Sequence, residues 1–152
     1  MIWISIYLDT SALVSMHFKE SRTTAVLDWL DSARGAGLVI SQWTLTEFSS
    51  AAAFKLRTKQ ITAEEDIAGR ALFDEMLAAL LTVVDVLPSD FANAAALCRQ
   101  KIAPLRAGDT LHLAICKRVG RAMLTLDNDL AAACRFHGMV VESLEQREKQ
   151  AR

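Results

Sequence analysis

The chain has 152 residues, 52% hydrophobic and 23% charged, which suits one domain with a sizeable buried core. Only 2 Pro and 6 Gly and no low-complexity tract argue against disorder over most of its length, and a formal net charge of -1 excludes a globally basic nucleic-acid binder. No apolar run approaches the roughly 18 residues of a transmembrane segment, and no basic region precedes the apolar N-terminus, so neither a membrane span nor an export signal is expected.

Residues 2–8 read as an apolar strand that runs into Asp9, Thr10 and Ser11, after which a short helix is predicted to residue 17. A polar turn at 19–22 leads to a helix over 23–34, with Leu27, Leu30 and Ala33 on one face and Gly35 and Gly37 as its stop. Leu38-Val39-Ile40 is a second buried strand. Thr44-Leu45-Thr46-Glu47 opens the next helix, which repeats Phe48, Ala52 and Leu56 at helical spacing and ends near Lys59. Thr62-x-x-Glu65 is a capping box for a longer helix, to about residue 81.

Residues 83–87 form a third strand that Pro88 ends; Ser89 or Asp90 caps a helix carrying Phe91, Ala95, Cys98 and Ile102. A loop over 104–108 precedes a helix from Asp109 to about Val119, with Leu111, Ala114, Ile115 and Val119 as its buried face and Gly120 at its end. Residues 122–126 are a fourth strand, Asp127-Asn128-Asp129 turns into a helix over 130–136, and 139–141 is a short edge strand. Cys98, Cys116 and Cys134 fall in apolar helical patterns and read as buried free thiols of a reducing cytosol; no Cys or His spacing suits zinc. Strands alternating with helices indicate a single α/β domain, a central parallel sheet of four or five short strands with helices on both faces. The domain spans residues 1–141, and 142–152 is a charged tail.

Four acids stand at comparable places. Asp9 follows the first strand, Glu47 lies in the first turn of the helix after the second, Asp109 begins a helix after a Pro/Gly loop, and Asp127 follows the fourth strand. An ordinary role is open to each: Asp9, Asp109 and Asp127 as helix N-caps, Glu47 as the closing half of a box with Thr44. Taken together they converge at the carboxyl edge of a doubly wound sheet, where ligands bind. Gathered carboxylates repel one another, and hard divalent ions prefer such oxygen-rich surroundings. Paired ions of this kind activate water for phosphodiester hydrolysis. No serine–histidine nucleophile and no phosphate-binding glycine loop stands out.

Leu8-Asp9-Thr10-Ser11-Ala12-Leu13, Ser41 to Glu47, Gly108-Asp109-Thr110-Leu111-His112-Leu113-Ala114 and Leu124-Thr125-Leu126-Asp127-Asn128-Asp129-Leu130 resemble, in order and spacing, the four motifs of PIN-domain nucleases. Thr110 and Leu130 stand where Ala and Phe are common in that family. The short single-domain form resembles VapC-type toxins of toxin–antitoxin pairs. The resemblance implies a cytoplasmic endoribonuclease dependent on Mg²⁺, with Mn²⁺ as the alternative ion, that acts on an RNA substrate, is held by a cognate antitoxin protein and forms a homodimer. Carried over, Asp9 and Asp109 are principal metal ligands, and Glu47 and Asp127 complete the catalytic site. Ser11 and Asp129 are supporting candidates. Lys55 and Arg57, just after Glu47, are candidate RNA-phosphate contacts. His112, flanked by Leu111 and Leu113, reads as packing, and Asp85, Asp90 and Glu20 as surface or cap residues. Rival readings are a PIN-like scaffold that binds RNA or protein without turnover, a dehalogenase-type phosphohydrolase, and a receiver domain. The second needs an acid where Ser11 stands, and the third an acidic neighbour that Asp9 lacks.

Overall fold

β1 (Ser5–Leu8) and β2 (Gly37–Ser41) are short runs buried on both faces, the pattern of a parallel sheet covered by helices. In the computed structural model, which describes residues 4–145, they pair with β3 (Leu81–Val84) and β4 (Ala122–Leu124) in the order β3-β2-β1-β4, every neighbouring pair parallel. The fifth strand expected at 139–141 is reduced to one parallel bridge, Met123 to Val141. Residues 2 and 3 of the predicted first strand and 146–152 of the predicted tail lie outside the described residues.

Side chains alternate across each strand. Ile6, Leu8, Leu38, Ile40 and Leu124 point to one core, roofed by α1 (Thr10–His17), α2 (Thr23–Ser32), α3 (Gln42–Arg57) and α4 (Ala63–Ala79). Tyr7, Val39 and Met123 point to the other, roofed by α5 (Pro88–Arg99), α6 (Ala107–Val119) and α7 (Asn128–Phe136). The chain fills the β2 and β3 positions on one side of β1 and then crosses to place β4 on the other. This reversal opens a crevice at the carboxyl ends of β1 and β4, where Asp9 and Asp127 follow their strands.

Three local expectations are corrected. The helix after β2 starts at Gln42, not Thr44: Ser41 is its N-cap and exchanges the reciprocal capping bonds with Thr44, so Glu47 is not used to close a box. The face of α5 is rotated by one residue. Asp90 and Ala94 point inward, while Phe91, Ala95 and Cys98 are exposed, so Cys98 is not a buried thiol; Cys116 and Cys134 are. The rotation follows from Asp90, which is fully buried. Its carboxylate accepts from the Leu87 backbone N–H (2.8 Å) and from Arg118 Nε and Nη2 (2.8 and 2.9 Å). Arg118 Nη2 also donates to the Asp85 carbonyl. Paired and hydrogen-bonded in this way, the buried charge is tolerated, and Asp90 is a structural ion pair rather than a surface acid.

At Gly69, α4 touches the end of α1. A Cβ there would stand 2.3 Å from Phe18 Cε1 and 2.9 Å from the His17 carbonyl oxygen. The Phe18 ring is stacked on Phe48, itself stacked on Phe73, so it has no room to retreat. Alanine improves helix propensity by about 1 kcal/mol, but overpacking of this kind costs about 2–3 kcal/mol. Gly69→Ala is therefore expected to lower the melting temperature by a few degrees in a thermal scan; a variant that melts above wild type would refute the contact.

Candidate active site

Asp9 is the N-cap of α1, and its carboxylate is almost wholly enclosed, with 4% of the residue exposed. Oδ1 accepts from Ser11 Oγ (2.6 Å) and the Ala12 N–H (3.3 Å), and Oδ2 accepts from Thr125 Oγ1 (2.7 Å). Ser11 Oγ also accepts from the Leu126 N–H at 2.9 Å, and Thr125 Oγ1 from the Asp127 N–H at 3.0 Å. Two hydroxyls thus tie the end of β1 to the loop after β4. Burial pushes the Asp9 carboxyl above the usual aspartate range, against the pull of the His112 charge and of the Ser11, Thr125 and Ala12 hydrogen bonds.

Asp127 caps α7, with Oδ1 accepting from the Asp129 and Leu130 N–H groups at 2.8 and 3.2 Å. Asp109, in the first turn of α6, accepts from the Arg106 N–H through Oδ2 at 3.0 Å. Its carboxyl is also pushed up, first by burial and then by the charges of Asp127 and Glu47, so both lie within electrostatic reach of it. Glu47 projects from α3 with Oε1 accepting from Thr10 Oγ1 (2.6 Å) and paired with His112 Nε2. Burial alone would raise its pKa, but the His112 hydrogen bond and charge and the Thr10 hydroxyl outweigh it and hold Glu47 below the usual range.

The helix-cap role and the site role therefore coexist. Asp109 and Asp127 each spend one oxygen on a helix start and keep the other, whereas both oxygens of Asp9 are engaged. Glu47 Oε2, Asp109 Oδ1 and Asp127 Oδ2 have no hydrogen-bond partner among the described residues. As they stand, no three acids of the described residues form a ready-made metal cage. The donor set itself, free carboxylate oxygens whose charges push up a neighbour's pKa, suits a hard divalent cation. A groove of about 800 Å³ opens from Glu47 and Asp127 along α1 and α3, lined also by Thr10, Ser11, Phe54 and Lys55 among others.

A family model described as the PIN domain matches residues 6–135. The chain belongs to the PIN-domain family. It is 29% identical over 143 residues to ribonuclease VapC47 of Mycobacterium tuberculosis (strain CDC 1551 / Oshkosh), covering 91% of this chain and 96% of that protein. Among solved structures it is similar to VapC20 of Mycobacterium tuberculosis, a sarcin-ricin loop cleaving toxin (TM-score 0.67, 20% identity, 85% of this chain and 95% of the other). It is also similar to a chain of a toxin–antitoxin complex from Klebsiella pneumoniae (TM-score 0.56, 19% identity, 84% and 91%). At these identities the structural likeness is one of fold.

Within this PIN domain the sequence-predicted residues divide clearly. Ser11 bonds Asp9 at the end of β1, Glu47 and Asp127 line the groove, and Asp109 lies at the start of α6 next to Gly108, against which Glu47 Oε2 rests. Asp129 is exposed in the first turn of α7 and gives the cap its backbone N–H. Lys55 lines the groove with its Nζ 2.7 Å from Glu20 Oε1, while Arg57 lies over the Phe54 ring at 5.6 Å. Glu20 is thus a partner of Lys55 and of Ser15, not a free surface acid. Tyr7 and Thr125 are residues that sequence reasoning passed over, while Thr10 and His112, which in sequence read as a helix-start hydroxyl and as packing, both bond Glu47. His112 is buried, as packing requires, but both its ring nitrogens are engaged, Nδ1 with Tyr7 Oη at 2.7 Å and Nε2 with Glu47. The available signal was weak: polar residues alternating with apolar ones inside a strand and a helix that are otherwise fully buried.

Proposed function

We propose that this PIN domain is a divalent-metal-dependent endoribonuclease, the toxin of a toxin–antitoxin pair, hydrolysing RNA phosphodiesters. The observation that carries the reading is that Asp9 and Asp127 follow β1 and β4 at the switch point of a parallel sheet, with Glu47 on the same groove as Asp127 and a free carboxylate oxygen on Glu47, Asp109 and Asp127. Ribonuclease VapC47 and the loop-cleaving VapC20 support RNA as the substrate, and the Klebsiella complex supports an antitoxin partner. Asp9, Glu47, Asp109 and Asp127 would hold Mg²⁺ or Mn²⁺, which when bound supplies an activated water and neutralises charge on the phosphate.

The chain's own residues prepare that chemistry. Ser11 and Thr125 orient Asp9, Thr10 and His112 orient Glu47, and the N-termini of α1 and α7 place positive backbone dipoles at the crevice. Lys55 and Arg57 are the proposed phosphate contacts, Lys55 in the groove, where it exchanges Glu20 for the substrate, and Arg57 from its place over Phe54, a residue of the groove wall. A homodimer and a cytoplasmic setting complete the reading; no described helix is long and apolar enough to cross a membrane.

The test is cleavage of a panel of tRNAs and rRNA fragments by wild type and Asp109→Asn, in Mn²⁺, in Mg²⁺ and in chelator. Discrete cuts are expected in the ions alone and with wild type alone. Cuts that survive both chelator and Asp109→Asn would overturn the assignment, and RNA binding without any cut would favour the scaffold.

A further inference from the structure

Behind Glu47 a line of buried polar side chains runs into the core between the sheet and α6. Tyr7, in β1, donates to Ser41 Oγ at 2.9 Å, and its oxygen lies 2.7 Å from His112 Nδ1. The opposite edge of the imidazole meets Glu47 Oε1, with Thr10 Oγ1 at 3.2 Å from the same Nε2. Tyr7 and Ser41 are 0% exposed and His112 is 2% exposed.

Three polar groups in an otherwise apolar core are costly unless each is paired. Leucine and phenylalanine would fill this space without that cost. Here every group is satisfied, and the line ends on a carboxylate that faces the crevice. Oε1 already accepts from Thr10 Oγ1, and Nε2 of the ring lies against that same oxygen; the tyrosine and serine fix the plane of the ring from behind.

We infer that Tyr7 and His112 are positioning residues for Glu47: anchored on Ser41, they pin Oε1 inward and leave Oε2, which lies beside Gly108, free for the cation. The inference rests on the acidic-site reading above. An unrestrained glutamate carries three rotatable bonds and loses that freedom when an ion is bound; here the freedom is already gone. Partners that orient a ligand in this way typically account for about 10–100-fold in metal affinity.

The experiment is Mn²⁺ titration of the metal-free full-length protein by calorimetry, with thermal melts to confirm folding. Tyr7→Phe removes one hydroxyl and keeps the ring. It is expected to weaken Mn²⁺ binding about 10-fold, and to have no further effect in a Glu47→Gln background. A merely structural role would cost the same in both backgrounds, so the cycle separates the two. His112→Gln, which keeps a side-chain N–H donor, is expected to bind more tightly than His112→Leu, which keeps only apolar bulk. Wild-type affinity in Tyr7→Phe, or an undiminished loss in the Glu47→Gln background, overturns the inference while leaving the acidic site standing. A wild type that binds no Mn²⁺, or an Asp9→Asn variant that binds it as wild type does, overturns the acidic-site reading and this inference with it.

Discussion

Asp9→Asn is expected to lose RNA cleavage by at least about 10²–10³-fold, the scale of removing one preorganised electrostatic group from a reaction centre, and at the same time to melt above wild type at pH 7 without metal. The two effects share one cause. The carboxylate is enclosed on all sides, and burial raises its pKa. Below the pKa of an exposed aspartate, about 3.9, both folded and unfolded states hold it protonated and it costs nothing. As pH rises through the raised folded value, the folded state must hold a desolvated charge, and that stability is lost. Asparagine has the same shape and no charge. Its Oδ1 can still accept from Ser11 and the Ala12 N–H, and its amide can donate to Thr125, whose hydroxyl hydrogen can turn toward Ser11 Oγ at 3.5 Å.

Glu47→Gln is the internal control. Glu47 sits below its usual pKa, so it adds stability above the unfolded value, about 4.3, which is lost as pH falls through the folded value. Glu47→Gln should therefore also lose cleavage, but melt below wild type at pH 7. Added Mn²⁺ should raise the wild-type melting temperature by linkage and leave that of Asp9→Asn unmoved. An Asp9→Asn protein that melts lower than wild type without metal, or cuts within tenfold of its rate, would contradict the strained-carboxylate account.

The positions of Asp9, Asp109 and Asp127 were legible because each lies near a strand end or a helix start that local sequence marks well, whereas Glu47 lies inside α3. Asp9 and Asp127 close apolar strands, and Asp109 follows a Pro/Gly loop. Their partners were not legible, because those contacts are long-range. Tyr7 meets His112 across 105 positions, and His112 meets Glu47 across 65. Seen locally, a histidine between two leucines is an ordinary core residue. The Thr44-x-x-Glu47 spacing misled for a different reason. Two overlapping boxes were available, and the choice between them depends on where β2 ends. The strand continues to Ser41, which takes the cap and frees Glu47 for the site. The rotated face of α5 is a third case: its register is set by the buried Asp90–Arg118 pair, and no apolar periodicity encodes an inward-facing carboxylate.

Gly108→Ala is the second large effect expected, and it separates catalysis from folding. Gly108 lies in the first turn of α6, directly before Asp109, and a Cβ there would stand 2.7 Å from Glu47 Oε2 and 3.5 Å from Trp43 Nε1. The first distance is too short to persist, so something must move. The backbone has no reason to, since the helix tolerates alanine better than glycine. The glutamate carboxylate is the far end of a flexible side chain and yields first. Its Oε1 is pinned by Thr10 and His112, so the displacement falls on Oε2, the oxygen without a hydrogen-bond partner. A shift near 1 Å in a reacting group costs about 10²-fold in rate, whereas the fold loses little. Gly108→Ala should therefore cut RNA roughly 10²-fold more slowly than wild type, with a melting temperature within a few degrees of it. Glu47→Asp, one methylene shorter, draws the carboxylate back from the added methyl, so Gly108→Ala should cost much less rate when introduced into the Glu47→Asp protein than into wild type. Equal losses in the two backgrounds would show that the methyl acts elsewhere, on the start of α6 or on Trp43. A full-rate Gly108→Ala enzyme would show that the position of Glu47 Oε2 does not govern the reaction.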